Sequence, residues 1–227
     1  MKFKSALMTQ ASGSTGGLVA SHNRGGMYFR ARSIPVNPGT AQQQSVRTAM
    51  SNLVTAWSQT LNAAQRAAWE VYATNVPVVN AVGDTIQLSG INMYCRSNVS
   101  RLQAGVNAVN DGPTTYDTGS FTPVLFTADP ITPQYQITID NSDEWANEDD
   151  AFMLVYGSRP QGVGINYFKG PYRNVDGFSG SAASPPVDAQ TCVPAFTFTT
   201  GQKIFLQVRV SRADGRLSGI QRISDES

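Results

Sequence analysis

The first acidic residue of the chain is Glu70. Lys2, Lys4, Arg24, Arg30, Arg32, Arg47 and Arg66 precede it with no Asp or Glu to offset them, and Gly13, Gly16, Gly17, Gly25 and Gly26 lie in the same stretch. Glycine gives up more backbone freedom on ordering than any other residue, and a run of one charge resists compaction. Such an opening is a poor start for a hydrophobic core. It suits a segment laid against another surface, either an acidic protein or a phosphate backbone.

The charge is divided along the chain although the net charge is only +1. Through residue 110 only Glu70 and Asp84 are acidic; beyond it acids outnumber bases, with Asp143, Glu144, Glu148, Asp149 and Asp150 clustered. A basic end and an acidic end favour head-to-tail or layered packing between copies. Charged residues make up 15% of the 227, against roughly a quarter in an average soluble domain. Gly, Ser, Thr, Asn and Gln fill the difference, which suits large permanent contacts.

Periodicity divides the chain into four stretches. Residues 1–39 read as an extended basic arm. Gly17–Ser21 and Met27–Arg32 are strand candidates around His22-Asn23-Arg24-Gly25-Gly26, a turn-forming sequence, so a hairpin is expected. Alternation then puts Tyr28, Arg30 and Arg32 on one face and Met27, Phe29 and Ala31 on the other. Pro35 and Pro38 stiffen the exit.

Residues 40–110 read as a helical unit of three helices and a short strand. Thr40 and Gln43 form a capping box ahead of Val46, Met50, Leu53 and Trp57 on one helical face. Asn62 and Gln65 open a second helix, packed through Ala64, Ala68, Trp69 and Tyr72. Asp84–Leu88 is the short strand. Ser89 opens a third helix bearing Ile91, Tyr94, Asn98 and Leu102, and Gly105 stops it.

Residues 111–133, with Pro113, Pro123, Pro130 and Pro133, read as a linker. Residues 134–227 then alternate as strands: Tyr135, Ile137 and Ile139; Phe152–Tyr156; Phe196 and Phe198; Ile204, Leu206, Val208 and Val210. A turn follows at Ala213-Asp214-Gly215-Arg216, then a last strand ending near Ile223. The expected fold class is α+β, the arm and helices followed by an antiparallel β-sandwich of immunoglobulin or fibronectin type.

No catalytic constellation emerges, and no enzymatic activity or cofactor is expected. His22 is the single histidine, set among glycines that give a catalytic triad no rigid support. One histidine with Cys95 and Cys192 far apart makes no zinc site, and two such cysteines make no disulfide framework; both read as small core residues. Gly13-Ser14-Thr15-Gly16-Gly17 lacks the Gly-Lys-Ser/Thr ending and following helix of a phosphate loop. The acidic cluster lacks the alternating ligands and central glycine of an EF-hand loop and reads as a solvated loop. Met1-Lys2-Phe3-Lys4 leads into no apolar run, and no stretch reaches membrane-spanning length, so neither a signal peptide nor a membrane partner is expected.

The residues Gly13-Ser14-Thr15-Gly16-Gly17, Asn23 through Arg32, Pro35 through Thr40, Gln43 through Arg47, Trp57, Leu61, Ala64 through Trp69 and Ser89-Gly90 together resemble the opening of a group of proteins found in tailed bacteriophages and prophage-like regions. The likeness covers about the first 110 residues. It implies a virion structural component, made in the bacterial cytoplasm and placed at the capsid, neck or tail. No catalytic or ligand residues come with it.

The expectation is a non-enzymatic assembly protein present in symmetric copies. Its partners are other copies and neighbouring virion proteins. The interface residues are Arg24, Arg30 and Arg32 for charge pairing, with Tyr28 and Phe29 as anchors. Two alternatives stay open. The same arginines could bind nucleic acid, although a pI near 7.7 is low for that role. The strand-rich half could read a receptor or carbohydrate through Tyr167, Phe168 and Tyr172.

Overall fold

The computed structural model describes residues 12–80 and 83–227. Lys2 and Lys4 of the basic opening therefore lie outside the described residues. The chain divides into two compact units, Met1–Ala41 and Gln42–Ser227.

In the first unit, β1 (Gly13–Thr15), β2 (Leu18–Asn23) and β3 (Gly26–Ala31) form an antiparallel sheet in that order. The expected hairpin is present, closing on Arg24-Gly25 with Asn23 paired to Gly26. The Asn23 side chain accepts from Gly25 N at 2.9 Å, an Asx turn that tightens the reversal. The unexpected element is β1, where Gly16-Gly17 supply a second reversal and Thr15 pairs Leu18.

The second unit holds three helices and the remaining strands among the described residues. α1 spans Ala41–Gln59 and α2 spans Ala63–Asn75. The expected capping box starts α2: Gln65 N donates to Asn62 Oδ1 at 2.9 Å, and Asn62 N donates to Gln65 Oε1 at 3.0 Å. β4 (Val78–Val79) and β5 (Thr85–Ile86) make a small hairpin. α3 covers Gly90–Gln103.

Ser89 precedes α3 without a side-chain cap. Glu70 of α2 supplies it instead, its carboxylate accepting from Gly90 N at 2.8 Å. A negative group at a helix N-terminus meets both orphan N–H groups and the positive end of the helix dipole. The first acid in the chain thus joins two helices. Gly105 ends α3 as expected, at φ +80°, with Val106 N donating to Arg101 O and Gly105 N to Leu102 O, a Schellman closure.

The helical core comprises Leu53, Leu61, Trp69, Tyr72, Ala73, Met93, Tyr94 and Cys95. Trp69 meets Tyr72 and Tyr94 edge-on at 5.7 and 5.5 Å, a geometry aromatic quadrupoles favour. Three expectations need correction. Ala64, in the first turn of α2, and Met50 of α1 are exposed; α1 enters the helical core through Leu53, Ala56 and Trp57. Leu102 is also exposed, since α3 buries Met93, Cys95, Ser97 and Arg101 instead.

The strands that follow are β6 (Leu125–Asp129), β7 (Gln134–Thr138), β8 (Phe152–Ser158), β9 (Gln161–Gly162), β10 (Tyr172–Ser179), β11 (Ala189–Cys192), β12 (Gln202–Ser211) and β13 (Gln221–Glu226). One antiparallel sheet has the order β10-β8-β12-β13, with β9 beside β12; the other has the order β11-β7-β6. A single core joins them, with Tyr135, Ile137, Ala128 and Cys192 from the smaller sheet and Met153, Val155, Ile204, Leu206, Val208 and Val210 from the larger. The expected inward set on β12 is thereby met. The barrel is not closed; the two sheets face each other.

Residues 111–133 are not a linker, because they contain β6. Their approach is also packed, with Trp69 Nε1 donating to Asn110 O at 2.9 Å and Gln65 Nε2 to Asp111 Oδ1 at 2.9 Å. Prolines at 123 and 130 flank β6 rather than interrupt it, so each missing N–H falls outside the ladder. Phe196 and Phe198 form no strand: β11 ends at Cys192, and Phe198 stacks on Tyr135 from irregular backbone at 5.6 Å.

Asn62→Ala removes one half of the α2 capping box and should lower stability by about 1 kcal/mol. Urea unfolding followed by circular dichroism measures it, and an unchanged midpoint would contradict the cap's role.

Candidate docking arm and interior charge seam

The arm places the expected residues where alternation put them. Tyr28 and Arg30 lie on one face of β3, opposite Ser21 and Val19 of β2; Phe29 lies on the other face, opposite Ala20. Arg32 follows the strand, its N–H donating to Gly17 O at 2.8 Å. Arg24 occupies the turn. Arg24, Arg30 and Arg32 are exposed, and none forms an ion pair among the described residues. Tyr28 and Phe29 are half-buried, while Leu18 on the Phe29 face is 53% exposed.

No residue from 12 to 41 is buried. A three-stranded sheet draws its stability from a covered face, and none of the described residues of this one is buried. His22 is exposed in β2, beside the turn.

A different charge arrangement, missed in the sequence, lies where helices and sheets meet in the second unit. Arg101 of α3 is only 3% exposed. Its Nε donates to Asn107 O at 2.9 Å, and its Nη1 donates to Arg212 O at 2.8 Å and Asp150 O at 3.2 Å. Its guanidinium also lies 5.8 Å from the Phe152 ring centre. Burial pulls its pKa down, opposed by Asp150, Asp214 and Glu148.

Arg212 extends the seam. Its Nη1 donates to Glu144 Oε2 at 2.8 Å and to Thr118 O at 2.7 Å, and its Nε bonds Glu148 Oε2. Burial works against its charge, but the two carboxylates hold its pKa above the ordinary value. Arg216 binds Asp214 at 2.7 Å and the carbonyl of Asp117. Gly215, at φ +93°, carries this turn against Trp69, whose ring an added Cβ would meet at 3.2 Å.

The acidic cluster is accordingly not a simple solvated loop. Asp143 is buried, accepting from Thr122 N at 2.8 Å and Thr122 Oγ1 at 2.9 Å. Asp149 accepts from Ala182 N at 3.0 Å. Asp150 adopts φ 62°, a left-handed conformation that Asp tolerates better than most residues, and presents its carbonyl to Arg101. No group of three or more His, Cys, Asp or Glu suited to a metal occurs among the described residues.

The aromatic candidates for a receptor reader are dispersed in role. Tyr167 is exposed in a loop, Phe168 packs edge-on to Phe205 at 5.4 Å, and Tyr172 begins β10 half-buried. Phe196 is capped by two cations, with Arg173 at 4.7 Å and Arg159 at 5.4 Å from its ring centre. Both cysteines are free and buried as expected. Burial pushes both thiols up, Cys192 to about 12 with Asp176 adding to the shift.

No protein-family model matches this chain, and no curated protein matches it.

Arg101→Ala leaves the carbonyls of Asn107, Asp150 and Arg212 without this donor and should cost about 1 to 3 kcal/mol in denaturant unfolding. A loss below about 1 kcal/mol would place it with surface residues. Protonated, buried thiols are poor nucleophiles, so iodoacetamide at pH 8 should label Cys95 and Cys192 only after denaturation, as read by mass spectrometry. Rapid labelling of the native protein would contradict their environment.

Proposed function

We propose that the chain is a non-enzymatic bacteriophage virion structural protein that assembles in symmetric copies and docks on neighbouring capsid, neck or tail proteins through its basic N-terminal arm. The observation that carries this reading is the arm itself: three paired strands, no buried residue from 12 to 41, and three exposed arginines that form no ion pair among the described residues, beside half-buried Tyr28 and Phe29. A protein surface supplies apolar contact for exposed Leu18 and counter-charge for the three arginines. The resemblance of the first 110 residues to phage and prophage proteins points the same way.

The strand-rich part supports a fibronectin-type reading of the sandwich. Leaving β9 aside, seven strands run from β6 to β13; the first, second and fifth form one sheet, and the fourth, third, sixth and seventh the other. In the immunoglobulin constant arrangement the fourth strand pairs with the fifth; here the fourth, β10, pairs instead with the third, β8. Modules of this type serve in adhesion and assembly, an association of architecture rather than of residues.

Deleting residues 1–39 should leave a folded, soluble protein that is absent from purified particles when it replaces the full chain during assembly. Normal incorporation would sink the docking role. With duplex DNA, the full chain should show no tight binding. If the three arginines instead bind phosphates, affinity will fall with salt with a logarithmic slope of about −3, and nucleic acid replaces protein as the partner.

A further inference from the structure

The face of the larger sheet turned away from the sheet-to-sheet core carries another arginine, Arg209. Tyr156 on β8 and Gln207 and Arg209 on β12 alternate with the core residues Val155, Leu206, Val208 and Val210, so they point to the outer face. Tyr156, Gln207, Val208, Arg209 and Ile220 line an open pocket of about 130 Å³. One water occupies about 30 Å³ of liquid, so the space exceeds a hydration site. Tyr156 is fixed by its hydroxyl, which donates to Gln103 Oε1 of α3 at 2.8 Å.

Arg209 is the unanswered charge here. It forms no ion pair among the described residues, and its buried Nε–H meets no acceptor. Arg96 of α3 stands near enough for the two cations to disfavour each other. Burial first and Arg96 second pull Arg209 down to about 10, with Tyr156 opposing. No carboxylate contributes to either arginine. Arg101 and Arg212, by contrast, are met by three carbonyls and by two carboxylates with a carbonyl, respectively. Buried polar groups are normally satisfied, so an orphan guanidinium N–H at a pocket marks a place for an acceptor.

We propose that this pocket binds the carboxylate of a small organic anion. The planar guanidinium fork matches a carboxylate, and a second cation nearby adds to the attraction. Ile220 gives the wall an apolar side, which suits an alkyl stem better than a fully hydrated phosphate.

The test is a titration of the 15N-labelled full chain with sodium butyrate, with sodium phosphate and sodium chloride in parallel at matched ionic strength. Butyrate should produce saturable shifts at the Arg209 Nε–H and at the amides of Gln207 through Val210. Arg209→Gln, verified folded by its thermal transition, should weaken butyrate binding about tenfold, the loss expected for one charge-assisted hydrogen bond, and Arg96→Gln, which removes a charge outside the lining, should weaken it less. Arg209→Lys keeps the charge but loses the fork and should also weaken it. If Arg209→Gln does not fold, Arg96→Gln and Arg209→Lys carry the same reading. Shifts that fail to saturate, equal affinity for phosphate, or binding unchanged in the folded variants would overturn the proposal.

Discussion

The second unit depends on one bond above the others, the donation from the Arg101 guanidinium to the carbonyl of Arg212 at 2.8 Å. It ties the end of α3 to the end of β12, and so one hydrophobic core to the other. Taking two guanidinium groups out of water costs several kcal/mol each unless donors are matched. The chain matches them from segments far apart in sequence: Asn107, Thr118, Glu144, Glu148 and Asp150 all contribute. Loops at 107, 118 and 144–150 are therefore held in place by the same two side chains. A purely apolar seam could be as stable, but it would not dictate which loop carbonyl meets which helix end.

The first unit is organised differently among its described residues. Its strands are in register from Gly13 to Ala31, yet no residue from 12 to 41 is buried. Hydrogen bonds alone contribute little net stability, because water competes for every partner. The sheet sets the side chains in register; what covers them must come from outside it. Ile34 and Val36 of the same unit are also exposed apolar residues.

Much of the fold was legible because the relevant signals are local. The Asn62–Gln65 box, the Gly105 stop, the Asn23-Arg24-Gly25-Gly26 turn and the alternation through Ile204, Leu206, Val208 and Val210 depend on neighbours within a few residues. The misses are non-local. Thr15-Gly16-Gly17-Leu18 carries a tight reversal, but a three-residue β1 has too short a pattern to register as a strand. Proline at both ends disguised β6 as a linker. Phe198 mimicked a strand residue while packing from irregular backbone. Arg101 is one of two arginines in a helix that also carries Asn92, Asn98 and Gln103, and nothing in the sequence reveals that its acceptors lie at residues 107, 150 and 212. Glu70 is a similar case: its cap on α3 spans twenty residues.

Charge segregation along a sequence is not charge segregation in space. The acid-rich stretch at 143–150 looked like a complement to the basic arm, yet Asp143 is buried, Glu144 and Glu148 hold Arg212, and Asp149 holds a backbone N–H. An arm from another copy that drew those carboxylates away would strand Arg212 in a low-dielectric seam, at a cost of about 3 to 5 kcal/mol. Exposed arginine pairs rarely return that much, since surface ion pairs contribute about 1 kcal/mol or less each. On the docking reading, head-to-tail pairing through this cluster is therefore the least favourable geometry. On the same reading, the arm's counter-charges belong instead to carboxylates free of interior duties, on another face of a copy or on a different partner protein.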